Sequence, residues 1–398
     1  MGTKMDDVLD ELVLEKGGLR LRTADIIFLL AVTAFAFLAR FGLLSYVSGD
    51  YTSFLSEWFD TLKSAGGLAG IGLDIGDYTP PYLYILALLT YLPVGSLYSI
   101  KLVSCLFDFL LAVFAAKTVF CLSGSRAKSI LAYTLVLFCP TVVLNGSAWA
   151  QCDAVFTFFL LLSFYSALKS RPWRVCLFFG IAFAFKLQAV FFAPLLLFLL
   201  LRGMLRVRHL LLIPLVYFIS IIPAWIAGRG LFDLLTIYIG QAGQYRNLSK
   251  NAPNLWSFLA SVQNSGLSLF AVMLAGAAAA FLLYLLWDKC RRVTPDALLS
   301  AALAFLLLIP FLLPHMHERY FFPADLFSIL YAVARPRRFI VPLLTVGASA
   351  AAYLPFLFGQ QPVALTTAAV LMGAALLLVL ADLLYPLFAP AKKGQASS

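Results

Sequence analysis

The chain has 398 residues, of which 62% are hydrophobic and 12% charged, and a formal net charge of +10. Apolar runs of spanning or half-spanning length fill nearly all of it, which excludes a soluble globular protein and predicts an all-α polytopic membrane fold. The excess of Lys and Arg comes in short clusters between apolar runs instead of one stripe, which argues against nucleic acid as a partner.

Residues 1–23 are mixed in charge and lack the apolar core and cleavage site of a signal peptide, so they are expected to form a cytoplasmic, amphipathic N-terminal segment. Residues 24–388 are expected to make a single transmembrane domain, and 389–398 a cytoplasmic tail. Basic clusters recur at Lys16/Arg20/Arg22, Arg126/Lys128, Lys169/Arg171/Arg174, Arg202/Arg206/Arg208, Lys289/Arg291/Arg292, Arg335/Arg337/Arg338 and Lys392/Lys393. The positive-inside rule puts all of them on the cytoplasmic side, with about eleven to thirteen membrane segments between them and both termini cytoplasmic. The remaining polar segments must then face outward.

The first of these, Val47 to Pro81, follows the first span and opens with Gly49-Asp50. Asp50 is a candidate general base, since a carboxylate at the interface can take a proton from an attacking hydroxyl. It is equally placed to cap the helix after it, in which Phe54, Leu55, Trp58, Phe59 and Leu62 recur at helical spacing opposite Glu57, Asp60 and Lys63. That pattern predicts an amphipathic helix lying on the membrane surface. Asp77-Tyr78-Thr79-Pro80-Pro81-Tyr82 comes next, its prolines stiffening the start of the following helix. Of the two apolar pieces after it, Tyr82 to Pro93 and Leu97 to Leu122, only one is expected to span fully, and the sequence leaves open which.

Trp149-Ala150-Gln151-Cys152-Asp153 forms a second outward corner. In a short extended turn alternate residues share a side, so Trp149, Gln151 and Asp153 are expected to face one ligand together. An interfacial tryptophan beside a helix cap is the plainer reading. The stretch Val175 to Leu201 begins and ends at basic clusters yet is too short to cross twice. It predicts a hairpin of two half-length helices meeting near Lys186-Leu187-Gln188, which implies a recess cut into the outer half of the membrane. Lys186 is a candidate phosphate ligand or a snorkelling interface lysine.

Asn251-Ala252-Pro253-Asn254-Leu255-Trp256 reads only as a loop at the interface. The last corner is His315-Met316-His317-Glu318-Arg319-Tyr320, where four ionisable groups share one membrane edge. A structural ion-pair network is one reading of it and an anion site another. Arg319 offers a planar fork for phosphate oxygens, with Arg246 and Lys250 as extensions of the same cationic half. The two histidines at i and i+2 diverge on a helix, unlike the i, i+4 pair of a zinc protease, so no metal or other cofactor is expected. The six cysteines show no ligand spacing.

These corners together resemble the membrane-integral GT-C glycosyltransferases that use polyprenyl-phosphate sugars. The chain is similar to bacterial relatives of the second mannosyltransferase of GPI-anchor assembly and, more distantly, to the dolichyl-phosphate-glucose glucosyltransferases of the N-glycan precursor. The latter have a His-aromatic-Gln pattern where Trp149 to Asp153 stands and a His-x-His-Glu-Lys pattern where His315 to Arg319 stands. The resemblance implies a catalytic aspartate at Asp50 and a cavity opening sideways to lipid. It further implies an inverting, metal-independent transfer of a hexose, mannose by the first likeness, to a hydroxyl of a glycan, lipid or protein acceptor at the outer face of a bacterial plasma membrane.

On that reading His317, Arg319, Lys186 and His315 would bind the donor phosphate. Asp77, Tyr78, Trp149, Gln151, Asp153, Gln188, Glu318 and Tyr320 would bind sugar or acceptor. A transporter or flippase of a lipid-linked sugar is the rival from another class; it predicts polar residues spread through the membrane depth, as Lys101 and Asp108 alone suggest. A non-catalytic membrane subunit is the second rival.

Overall fold

The computed structural model of the chain describes residue 9 and residues 11–76, 78–242 and 247–388, and these form a helical membrane bundle. Seven of its helices are long and apolar enough to cross a membrane, and Arg126–Leu137 with Pro140–Ala148, bent by 48°, together have the length and composition of an eighth. The bend falls at Pro140, which cannot continue the hydrogen-bond ladder of the helix before it. Five shorter apolar helices complete the set, so the eleven to thirteen segments expected from the sequence divide into full spans and half-length pieces. The tail 389–398 lies outside the described residues, as does most of the N-terminal decapeptide.

Leu12–Lys16 and Leu19–Arg22 form an antiparallel hairpin, β1 and β2, where an amphipathic segment was expected. Gly17 and Gly18, with φ of 59° and 83°, supply the left-handed turn that a two-residue hairpin loop requires. Helix α1, Thr23–Phe41, follows at once. Helix α2, Ser56–Ser64, keeps Glu57, Asp60 and Lys63 exposed, but buries Leu55, Trp58, Phe59 and Leu62 against Tyr82, Leu83 and Leu86 of α3, Pro80–Leu89. The apolar stripe expected to lie on lipid is thus packed on protein except for Phe54, which stays exposed. Gly76, at φ 61°, touches the Trp58 ring so closely that an added Cβ would lie 2.3 Å from it. The open question between the two apolar pieces is resolved by length. Helix α4, Ser96–Ser123, has 28 residues, about 42 Å of rise, whereas the ten residues of α3 fall short of the roughly 30 Å hydrocarbon layer.

The described basic clusters gather at one end of the bundle. Arg126 Nη1 lies 3.0 Å from Asp25, and Lys128 Nζ donates to the Ala334 carbonyl at 3.1 Å. Arg335 reaches Ser300, Arg338 pairs with Asp382, and Arg202 donates to the Arg291 carbonyl at 2.6 Å. Helix α5 (Asp153–Leu168) runs toward this end and α6 (Pro172–Phe185) runs away from it again, the two packed side by side. After the 3-10 turn Leu187–Phe192, α7 (Ala193–Leu201) returns. Trp173, at the start of α6, lies under the guanidinium of Arg208 and against the ring of His209. Both limbs therefore start and finish at the basic end, with Lys186 at the tip.

Candidate functional site

At the end away from the basic clusters a cavity of about 580 Å³ opens between the corner segments. Asp50, Tyr78, Gln151, Lys186, Gln188, His315, His317, Glu318, Arg319 and Tyr320 all line it. Asp77 and Arg246 lie outside the described residues.

Asp50 sits at the first turn before α2 but makes no side-chain cap. Its Oδ2 accepts from Trp149 Nε1 at 2.9 Å and from Gln151 Nε2 at 2.5 Å, and lies 3.6 Å from Arg319 Nη1. Gln151 is itself oriented by the Tyr78 hydroxyl, which donates to its Oε1 at 3.2 Å. Burial pushes that phenol's pKa well above its ordinary value, so it stays a donor.

The corner 149–153 is not an extended turn. Trp149 is helical, Ala150 takes φ 66°, and a wide turn over Leu144–Ala148 precedes them. In consequence Trp149 and Gln151 both aim at Asp50, while Asp153 turns the other way. Trp149 is fully buried, stacked on Phe356 with centroids 4.7 Å apart, and Asp153 is 1% exposed. These two residues, expected to face a ligand, stand one layer behind the cavity wall: Trp149 holds Asp50, and Asp153 holds the cations. Asp153 Oδ1 accepts from Lys186 Nζ, and Oδ2 accepts from Asn145 Nδ2 at 2.8 Å and lies 4.0 Å from Arg319 Nε.

Lys186 is extended, with φ −155° and ψ 133°, because α6 stops there and the 3-10 turn begins. Its ammonium lies 5.7 Å from the ring centroids of both Tyr78 and Phe156. Thr79 Oγ1 donates to the Ala184 carbonyl at 2.6 Å, which ties the hairpin tip to the Tyr78–Tyr82 corner.

Arg319 is the hub. Beside Asp50 and Asp153 it reaches Glu318 Oε1 at 3.3 Å and stacks its guanidinium 5.5 Å from the Trp149 ring centroid. Its neighbouring carboxylates hold its pKa above even the usual guanidinium range, against burial. Burial lifts Glu318 to about 7, with Asp50 and Asp153 adding to the shift and Arg319 opposing it. His317 is pushed down to about 2 by burial and by the positive charges of Arg319, Lys186 and Lys250, so its imidazole is neutral. His315 differs from its neighbour. It takes φ 61°, its Nδ1 is 2.6 Å from the Asn247 carbonyl, and its backbone N–H donates to the Leu248 carbonyl. It therefore fastens the loop, although its side chain also borders the cavity.

That fastening uncovers residues the sequence left unassigned. Ser249–Lys250 pairs in parallel with Met316–His317, as β3 and β4. Asn254 Nδ2 donates to the Leu313 carbonyl at 3.0 Å and the Pro310 carbonyl at 3.2 Å, and Trp256 Nε1 to Leu312 at 2.6 Å. These are the orphan carbonyls at the end of α8, Pro295–Leu312, so the outer loop caps the helix from which the His317–Arg319 segment springs. The only signal in the sequence was an amide and an indole N–H within one turn-forming stretch.

Fold and cavity define a polytopic membrane protein with a charged recess at one end of its bundle. The model of glycosyltransferase family 87 matches residues 77–314, more than half of the chain, and the chain belongs to that family. It is thus a membrane glycosyltransferase, which takes a sugar donor and an acceptor. No curated protein matches it. Tyr78, Gln151, Asp153 and Lys186 lie inside the matched stretch; Asp50 and His315 to Tyr320 lie outside it.

Proposed function

We propose that the protein transfers a hexose, specifically mannose, from a polyprenyl-phosphate sugar to a hydroxyl acceptor with inversion, and that Asp50 is the general base. The single observation that carries this reading is that the Asp50 carboxylate and the Arg319 guanidinium face one cavity, 3.6 Å apart. Both hydrogen bonds to Asp50 fall on Oδ2, which leaves Oδ1 to meet an acceptor. In the proposed step the acceptor O–H gives its proton to Asp50 as its oxygen attacks the anomeric carbon. The bond from that carbon to the donor phosphate breaks on the opposite side, and the phosphate leaves with the electron pair.

The leaving group gains negative charge as it departs. Arg319 and Lys186 are the cations for it, and neutral His317 supplies a dipole without adding charge. Asp153, one layer back, keeps the two cations apart and aimed. The apolar share of the cavity lining, including Leu187, Val190, Phe191 and Val272, suits a hydrocarbon tail, and Val190 and Val272 are also exposed on the bundle surface. By the positive-inside rule the cavity end is extracytoplasmic, and the membrane in question is a bacterial plasma membrane.

The test is turnover by the purified full chain given polyprenyl-phosphate mannose and a pool of candidate acceptors. Expected are release of polyprenyl phosphate in step with product, and a product whose anomeric configuration is opposite to the donor's. Retained configuration, or donor binding with no transfer to any acceptor, refutes the reading.

A further inference from the structure

We infer that the acceptor is seated as a neutral pyranose ring between Phe54 and Phe356, beside Asp50; this rests on the reading of Asp50 as the base. One face of Phe356 lies on Trp149, tilted by only 18°, while the residue as a whole stays 40% exposed and lines the cavity. A Cβ placed on Gly49 would lie 3.6 Å from its ring, so Phe356 overhangs the backbone that carries Asp50. Phe54 follows Asp50 by one turn, is 48% exposed, lines the same cavity and rests on Trp58 with centroids 6.1 Å apart. Two aromatic rings, one stacked on Trp149 and the other tilted by 47° against Trp58, thus line the cavity together with Asp50.

A pyranose has the matching shape, with an apolar face of C–H groups, a rim of hydroxyls and no charge. The negative face of an aromatic ring attracts such C–H groups, and the carboxylate beside the rings meets one hydroxyl of the rim. Charge decides the class. The cations Lys186, Arg319 and Lys250 gather with His317 around Glu318 and Asp153. An anionic acceptor seated at the two phenylalanines would meet the Asp50 carboxylate, and the nearest cation, Arg319, is already shared among Asp50, Glu318 and Asp153, so a neutral glycan fits better than a phosphorylated one.

Mannotriose is the probe, added to the full chain in detergent. Its binding without donor is followed by calorimetry, and acceptor and donor KM are then measured separately with polyprenyl-phosphate mannose. Phe356→Leu and Phe54→Leu should each weaken mannotriose binding and raise its KM about tenfold, with donor KM unchanged and Phe356→Tyr close to the unaltered protein. Unaltered affinity in both leucine variants overturns the inference, as does failure of the unaltered protein to bind mannotriose. A rise confined to donor KM overturns it too, since the rings would then be a wall for the lipid, and so does tighter binding of mannose 6-phosphate than of mannotriose. Mannotriose binding that depends on both rings, in a protein that transfers nothing from polyprenyl-phosphate mannose, would keep the subsite and remove the proposed donor.

Discussion

Among the described residues, two buried acid–base clusters differ in what adjoins them. Arg40 and Asp108 pair at 2.9 Å between α1 and α4, both all but inaccessible, and Arg40 Nη1 donates to the carbonyls of Ala36 and Leu137. Neither residue lines the cavity. Asp50, Asp153, Lys186, Glu318 and Arg319 form the other cluster, and four of these five border it. Both groups look alike in the sequence, as ionisable residues at membrane depth, where charge is costly and marks a function by default. The contrast shows that an opening, not burial, separates a site from a strut. Lys101 belongs with the struts: its ammonium donates to the carbonyls of Leu43 and Leu44, at the open end of α1. The polar residues that could have suggested a transport pathway through the membrane are therefore consumed in holding α1 to α4.

The sharpest way to break this comparison is to remove one acid from each cluster. Asp50→Asn should lower the transfer rate by about 10²–10⁴-fold, the usual contribution of a general base, with the melting temperature and donor binding retained. Full activity would remove Asp50 from that role. Arg40→Ala should do the reverse. It leaves the Asp108 carboxyl buried in the bundle without its partner, at a cost of up to about 3–5 kcal/mol, read as a lower melting temperature in detergent. The double variant Arg40→Leu/Asp108→Leu should recover much of that loss and retain activity per folded molecule, because apolar replacements of a buried pair are often neutral. Activity lost in the double variant at normal stability would make the pair part of the site.

Arg319→Ala should weaken donor binding or turnover by about tenfold or more, and Arg319→Lys should restore only part, since one ammonium cannot reach Asp50, Glu318 and Asp153 as the planar fork does. A smaller effect is expected from Trp149→Phe. It removes one of two donors to Asp50 while keeping the stack on Phe356. The turnover number should fall with donor KM unchanged, which separates a positioning role from a ligand contact.

How much of this was legible varied with the kind of signal. Basic clusters and apolar lengths are additive along the chain, so the common end of the bundle and the hairpin folded at Lys186 could be read without coordinates. The convergence of Asp50, Gln151, Lys186 and Arg319 on one recess followed from that topology. Side-chain direction did not. Trp149, Gln151 and Asp153 were expected to face the cavity together because an extended turn alternates, but the left-handed Ala150 rotates the chain there, so that Trp149 shares Asp50 with Gln151 from behind the wall and Asp153 pairs with Lys186, and alanine gives no warning of it. The amphipathic helix after Asp50 was legible, but the neighbour of its apolar stripe was not: such a stripe states that a face is covered, not by what, and here α3 covers most of it. Asn254 and Trp256 were invisible as a cap, since their acceptors lie more than fifty residues on.

The smallest expected effect concerns pH, and it sharpens the comparison within the site itself. Glu318 is raised from the usual carboxylate range to about 7, and His317 is lowered from 6.5 to about 2, burial being the first cause of both. Their linkages have opposite signs. The folded protein binds a proton at Glu318 more readily than the unfolded chain, so the stability from that group is complete below about 4.5 and is lost as pH rises toward 7. It binds one at His317 less readily, so the stability from that group is present above 6.5 and is lost as pH falls toward 2. Between 4.5 and 6.5 the two slopes oppose each other, and the unaltered protein should show little dependence from this corner. Glu318→Gln removes one of them, and its melting temperature relative to the unaltered protein should rise with pH across that window. His317→Gln should make it fall. Parallel curves for all three proteins would mean that neither group changes its proton affinity on folding.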